Sequence, residues 1–329
     1  MLDPLQAHTL IVADELVEGR VTPFLGAGVN RFGRVAVDAQ PSRSTELPDG
    51  QELASHLATR FHFSFPEGET PELLRIAQWV TVMLGSLPLY RELHEIFSSP
   101  YGPNQLHAFF ATFPARLARR AASRGAGNGD RAPAAAPYPL IVTTNYDDAL
   151  EQAFDAVKEP YDLLWYVADG EDRGRFRHRA PDGTESAVVD PTTHGSDLLE
   201  SRTVILKIHG AVNRANEQND SYVITEDDYI DYLARSDISK LVPANLRARL
   251  LVSHILFLGY SMRDWNLRAF LHRIWSERKR NAVSWAIQTK PDQLDQEFWS
   301  KRDVQILDVL LEDYVARLDD LLPLDGTPP

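Results

Sequence analysis

The sequence predicts an α/β fold: a parallel sheet with helices on both faces. Three observations carry this. Short apolar runs, such as residues 21–25 and 140–144, are bounded by glycine or polar residues, as buried strands are. In the last third, strands over 255–258, 283–287 and 304–307 alternate with helical periodicity over 264–276, 294–301 and 312–322. Such alternation makes a parallel sheet that is covered on both sides. Finally, 43 % of the 329 residues are hydrophobic, enough for a full core.

Each element has a local reason. Residues 5–16 repeat apolar positions at helical spacing, and 21–25 form a buried strand that breaks at Gly26. Residues 31–50 are polar and contain proline, which reads as loop. A helix over 51–61 follows, with Asp49 as its N-cap. Residues 71–97 read as two helices interrupted near Gly85 and Pro88. Residues 104–120 are helical, with a break at Pro114. Residues 121–139 are rich in Ala, Gly and Pro and read as a flexible loop. The β-branched run 140–144 is a strand, 147–157 a helix and 163–167 a strand. Asp182-Gly183 marks the turn of a β-hairpin over 173–189. Residues 203–208 form a strand, and Thr225 caps a helix over 225–233 whose first turn is acidic. The expectation is one domain over 1–329, with a helical module inserted at 62–139.

Charge and composition exclude several classes. Thirty-four basic against 47 acidic residues leave a net charge of −13, which disfavours direct binding to nucleic acid. The stretch from Arg268 to Arg280 is a local basic patch or a solvated helix face. There is no cysteine, so disulfides, Cys-based zinc sites and a Cys nucleophile are excluded. A basic leader and an apolar run of about 18 residues are both missing, so a cytoplasmic protein without membrane spans is expected.

Four strand ends carry polar groups. Phe24-Leu25-Gly26-Ala27-Gly28-Val29-Asn30 places glycines where backbone amides can approach a phosphate. The dinucleotide fingerprint expects a further glycine at position 31, where Arg31 stands, so an ordinary βα turn remains open. Thr143-Thr144-Asn145-Tyr146-Asp147 follows a buried strand, at the edge where parallel sheets bind ligands. An amide there can hold a hydroxyl or a water, or serve as a helix cap. Lys207-Ile208-His209-Gly210 ends a third strand with a histidine, either a general base or a buried structural ring. Gly259-Tyr260-Ser261-Met262-Arg263-Asp264 closes a fourth. There Ser261 suits a phosphate or ribose oxygen, and Asp264 a cap or a hydroxyl.

The order and content of these motifs resemble the sirtuin family across most of the chain. The pieces are Gly-Ala-Gly, Thr-x-Asn-x-Asp, His-Gly and Gly-x-Ser. The run Tyr222-Val223-Ile224-Thr225-Glu226-Asp227-Asp228-Tyr229 and the Gly-Tyr-Ser-x-x-Asp motif resemble the bacterial branch that hydrolyses NAD in antiphage defence. The resemblance implies a Rossmann-like sheet with an inserted helical module and a small β-hairpin, without a zinc ribbon. It implies NAD as substrate and no metal, since the pyridinium is already cationic in NAD and leaves as neutral nicotinamide. Asn145, His209 and Asp147 would be catalytic. Gly26, Ala27, Gly28, Asn30, Thr144, Gly259, Ser261 and Asp264 would bind the dinucleotide. Homo-oligomerisation, or a regulatory partner such as an ATPase or an Argonaute-like protein, would supply an off-state. Three departures matter. Deacylating sirtuins carry a four-cysteine zinc module and a Gly-Ile-Pro-Asp-Phe-Arg stretch, both missing here, and Asn30 stands where they have serine. A non-catalytic sensor of NAD or ADP-ribose is the alternative, and a protein deacylase a more distant one.

Overall fold

The computed structural model describes residues 3–34, 46–65, 69–125, 137–234, 241–262, 268, 271 and 282–324. Helix α1 (Pro4–Val17) leads into β1 (Val21–Leu25) and a 3-10 turn (Ala27–Arg31). Helices α2 (Gly50–Arg60), α3 (Leu73–Leu84), α4 (Ser86–Phe97), α5 (Gln105–Ala111) and α6 (Phe113–Gly125) follow. Next come β2 (Leu140–Thr143), α7 (Ala149–Val157), β3 (Tyr161–Tyr166), β4 (Phe176–Arg179), β5 (Glu185–Ala187) and β6 (Thr203–Lys207). After β7 (Gly210–Ala211), β8 (Ser221–Tyr222), α8 (Glu226–Ala234) and α9 (Ala244–Val252), the chain alternates. It runs through β9 (His254–Leu258), β10 (Ser284–Gln288), α10 (Gln293–Ser300), β11 (Val304–Asp308) and α11 (Leu311–Leu321).

Among the described residues, nine strands form one sheet in the order β11-β10-β9-β1-β2-β6-β3-β4-β5. All pairs from β11 to β3 are parallel, and the β4–β5 hairpin extends β3 antiparallel. The hairpin read from Asp182-Gly183 thus becomes the end of the sheet. Alternate residues of each strand feed opposite faces. Leu25, Ile141, Ile205 and Leu258 pack under α1, α5, α6 and α11. Phe24, Val142, Leu206 and Phe257 pack towards α8, α9 and α10. Burial on both faces explains why these strands read as unbroken apolar runs. A third cluster joins α2, α3 and α4 through Leu57, Ile76, Val80 and Leu93.

Local chemistry sets the helix ends. Asp49 and Glu52 form a reciprocal capping box, with the Glu52 amide donating to Asp49 at 2.8 Å. Gly85 separates α3 from α4, while Pro88 lies in the first turn of α4, where no N–H is required. Pro114 likewise sits in the first turn of α6, so the break falls at Thr112. Helix α6 continues to Gly125, into the segment read as loop, because Ala121 and Ala122 favour helix. Residues 126–136 of that loop lie outside the described residues, as does most of the helix expected over 264–276. Of the basic stretch, Arg268 is described. It donates to the Met262 carbonyl and to Asp295 and lies 4.5 Å over the Phe298 ring, a packed role rather than a solvated one. No helix among the described residues is long and apolar enough to cross a membrane.

Candidate active site

The four polar motifs meet at one edge. Strands β9, β1, β2 and β6 are adjacent and parallel, so their carboxyl ends point the same way. Leu25 pairs with both Leu258 and Thr143, and Thr143 pairs with Lys207. Gly259, Gly26 and Thr144 therefore emerge level with one another. Asn145 and His209 each lie two residues beyond a paired position. Adjacent strands stand about 4.8 Å apart, so these residues leave the sheet on neighbouring strands, Asn145 towards the Gly26 carbonyl and His209 towards Tyr229 and Tyr232. From β1 the chain builds outward to β2 and β3, then returns to β9 on the other side. That reversal is the switch point where open α/β sheets bind ligands.

The glycines have a different immediate cause from the one the sequence suggests. The Gly26 amide donates to the Leu258 carbonyl at 3.0 Å, and the Gly28 amide to the Gly259 carbonyl at 2.9 Å. A Cβ on Gly28 would stand 2.6 Å from the Gly259 oxygen. One on Gly259 would stand 2.3 Å from the Val29 nitrogen, at a φ of +68°. Close contact between two loops thus demands these glycines, and the Gly26 and Gly28 amides already have acceptors. Gly259→Ala is expected to cost about 1–2 kcal/mol from the left-handed backbone alone, with the clash added. A thermal melt checks this, and a midpoint within a degree of wild type would contradict it.

The loop after β2 is braced from both sides. The Thr143 hydroxyl donates to the Leu25 carbonyl and accepts from the Asn145 amide, each at 3.0 Å. Asn145 Nδ2 donates to the Gly26 carbonyl at 3.3 Å. Thr144 Oγ1 and Tyr260 Oη share a hydrogen bond of 2.5 Å, tying this loop to the β9 loop. Asp147 is buried. Its Oδ2 accepts from Asn30 Nδ2 at 3.1 Å, and its Oδ1 accepts from the Ala149 amide at the start of α7. Asp147 thus closes an Asx turn just before α7, whose N-cap is Asp148, and also faces Asn30. The Oδ1 atoms of Asn30 and Asn145 are buried without a hydrogen-bond partner among the described residues.

His209 is 5 % exposed, with its ring edge-on to Tyr229 and Tyr232. Its Nδ1 shares a 3.2 Å hydrogen bond with Tyr229 Oη. Burial pushes its pKa down to about 3, so the imidazole is neutral at ordinary pH. Gly210 must follow, because a Cβ there would stand 2.0 Å from the Ser221 carbonyl, at a φ of +98°. Beside Asn30 opens a cavity of about 390 Å³, lined also by Phe32, Arg34, Gly102, Asn104 and His107. The Asn104 amide donates to His107 Nδ1 at 3.1 Å, which puts the ring proton on Nε2. A second cavity, of about 400 Å³, lies at the opposite sheet edge by Val283 and Val304.

Gly26, Ala27, Gly28, Asn30, Thr144, Asn145, Asp147, His209 and Gly259 thus gather at one edge. Ser261 is exposed beyond it, and Asp264 lies outside the described residues. Sequence reasoning passed over Thr143, Lys207, Tyr260 and His107. Lys207 did carry a signal, as the single charge in the apolar run 204–208.

A family model described as the SIR2-like domain matches residues 139–307, about half of the chain. The chain belongs to the SIR2-like domain family. The match spans three of the four motifs, and the sheet brings the Gly26-Ala27-Gly28 turn beside them. Two curated relatives resemble this SIR2-like chain. The NAD(+) hydrolase ThsA of Enterococcus faecium is 29 % identical over 191 residues, covering 54 % of this chain and 34 % of that protein. The defense-associated sirtuin 2 of Bacillus subtilis is 24 % identical over 195 residues, covering 56 % and 16 %. The matched region thus spans about a third or less of either relative's length.

Proposed function

We propose that this chain cleaves the bond between nicotinamide and ribose in NAD, giving nicotinamide and ADP-ribose, as an effector of antiphage defence. The observation that carries the reading is the pair of buried, unpartnered amide oxygens, Asn30 Oδ1 and Asn145 Oδ1, beside the switch-point crevice. A buried acceptor without a donor is costly, and a dinucleotide supplies donors in its ribose hydroxyls and its carboxamide. The names of both relatives support the same reading.

In this proposal Asn145 Oδ1 accepts from a ribose hydroxyl and orients the attacking water. The transition state resembles an oxocarbenium ion, so a weak nucleophile and a weak base suffice. His209 Nε2 takes the proton when Nδ1 donates to Tyr229, the tautomer that leaves Nε2 bare. Asp147, held by Asn30, faces the developing positive charge on the sugar. The cavity beside Asn30 receives nicotinamide, with His107 Nε2–H as a donor at its wall. The pyrophosphate and the adenosine ribose lie against the loops of Gly26, Ala27, Gly28, Gly259, Thr144 and Ser261, of which the Gly26 and Gly28 amides, already bonded within the fold, shape the surface rather than donate to the phosphates. No metal takes part. A cytoplasmic location, where the cell's own NAD is found, is part of the proposal. An unregulated enzyme would poison its own cell, so self-assembly or a partner protein, an ATPase or an Argonaute-like protein, is part of the proposal.

The test separates nicotinamide from ADP-ribose products after incubation of the purified protein with NAD, alone and with its co-expressed neighbours. Nicotinamide release is expected. Thermal stabilisation by NAD without release would favour the sensor instead, a reading to which the burial of His209 lends weight. Activity on an acyl-lysine peptide would point to a deacylase.

A further inference from the structure

Lys207 is a lysine inside the sheet. Its side chain is 1 % exposed, on β6, two residues before His209. The ammonium donates to Glu151 Oε1 of α7 at 2.6 Å, to the Asp147 carbonyl, and to the Tyr146 carbonyl at 3.5 Å. An ammonium has three donors, and here each has an acceptor. Two of the three acceptors are backbone carbonyls of the loop that carries Asn145 and Asp147. One buried cation therefore joins the strand of His209 to the loop of Asn145.

Packing gives little reason for this arrangement. A buried ion pair is often no more stable than apolar residues of similar volume, yet it fixes geometry. Glu151 belongs to the same device. Burial pushes its carboxyl up, while the charge and hydrogen bond of Lys207 pull against that shift. The Glu151 carboxylate supplies the countercharge that lets a cation sit beneath the loop.

We propose that Lys207 is a positioning residue of this site, holding the Tyr146–Asp147 backbone so that the Asn145 and Asp147 side chains face the reacting sugar, with Glu151 as its counter-ion. This rests on the NAD-cleaving reading for its kinetic part only. Lys207 touches no substrate. Its effect passes through two carbonyls, so its loss is expected to lower turnover rather than binding.

Lys207→Met alone would strand Glu151 in the interior. The test therefore removes both charges, in Lys207→Met/Glu151→Gln and in Lys207→Met/Glu151→Leu. The second is the apolar exchange that buried pairs tolerate best, and whichever variant folds carries the test. Steady-state nicotinamide release is expected to show kcat lowered about 100-fold, the scale of a misplacement near 1 Å, with KM within about twofold. Hydrogen exchange is expected to quicken at the amides of 145–149 and to stay unchanged in β9 and β10. Wild-type kcat in a folded double variant would overturn the role, and so would a loss confined to KM. If the wild-type protein releases no nicotinamide, the catalytic reading fails by itself. Exchange then decides the clamp, and unchanged rates at 145–149 would overturn it.

Discussion

An Asn145→Ala protein is expected to fold, to bind NAD within a few-fold of wild type, and to release nicotinamide about 100 to 1,000 times more slowly. That range is typical when one preorganised polar group aimed at a transition state is removed. Asn145 is nearly ideal for such a role. Its amide nitrogen is committed to the Gly26 carbonyl, and the Thr143 hydroxyl fixes its backbone. Its Oδ1 is therefore held in place before substrate arrives. Alanine leaves the Gly26 carbonyl without this donor, a loss of about 1–3 kcal/mol, which a domain of this size survives. Initial rates against NAD concentration separate the outcomes. A fall in kcat at constant KM fits transition-state stabilisation, and a rise in KM alone indicates uniform binding. Unchanged kcat would remove Asn145 from the mechanism.

His209→Ala is expected to lower turnover about 100-fold, the low end of a general base's contribution, because burial makes the ring a weak proton acceptor. The same residue leaves a mark on stability. Its native pKa is about 3 against 6.5 in the unfolded chain. Between those values the unfolded chain binds a proton that the native ring refuses. Stability from this group is therefore complete above pH 6.5 and is lost as pH falls towards 3, by at most about tenfold in the folding equilibrium per pH unit. His8, pushed down to about 4 by burial, acts in the same direction over a narrower range. Urea melts at pH 7, 5.5 and 4.5 should show a shallower acid loss in His209→Gln than in wild type. Turnover, by contrast, should show no acid limb near pH 6.5 while the protein stays folded. A kinetic pKa near 6.5 that vanishes in the variant would mean that the ring titrates freely, against its burial by Tyr229 and Tyr232.

Much of the fold was legible because each central strand is buried on both faces. Apolar runs such as residues 140–143 cannot easily be anything else, while Asp49 and Gly85 mark helix ends and Asp182-Gly183 the hairpin turn by local chemistry. Strands β7 and β8 were not legible, since two-residue strands carry no period. Helix α9 escaped too. Its residues Asn245, Arg247 and Arg249 interrupt the apolar spacing, and it depends on packing Leu246 and Leu250 against the sheet.

The sequence by itself determined the residue types of the site: an amide, a carboxylate, an imidazole and small residues, each at the end of a buried strand. It also excluded cysteine chemistry outright. Tertiary structure decided their company. The order β9-β1-β2-β6 depends on pairings between segments 64 to 233 residues apart, and no local pattern encodes it. The same holds for the reason behind the Gly26-Ala27-Gly28 turn, which is its contact with Gly259. It holds again for Lys207, whose counter-ion lies 56 residues away on α7. Backbone propensity and burial are local and can be read along a chain. Which strand ends share an edge depends on long-range packing and on the entropy of closing the loops between them.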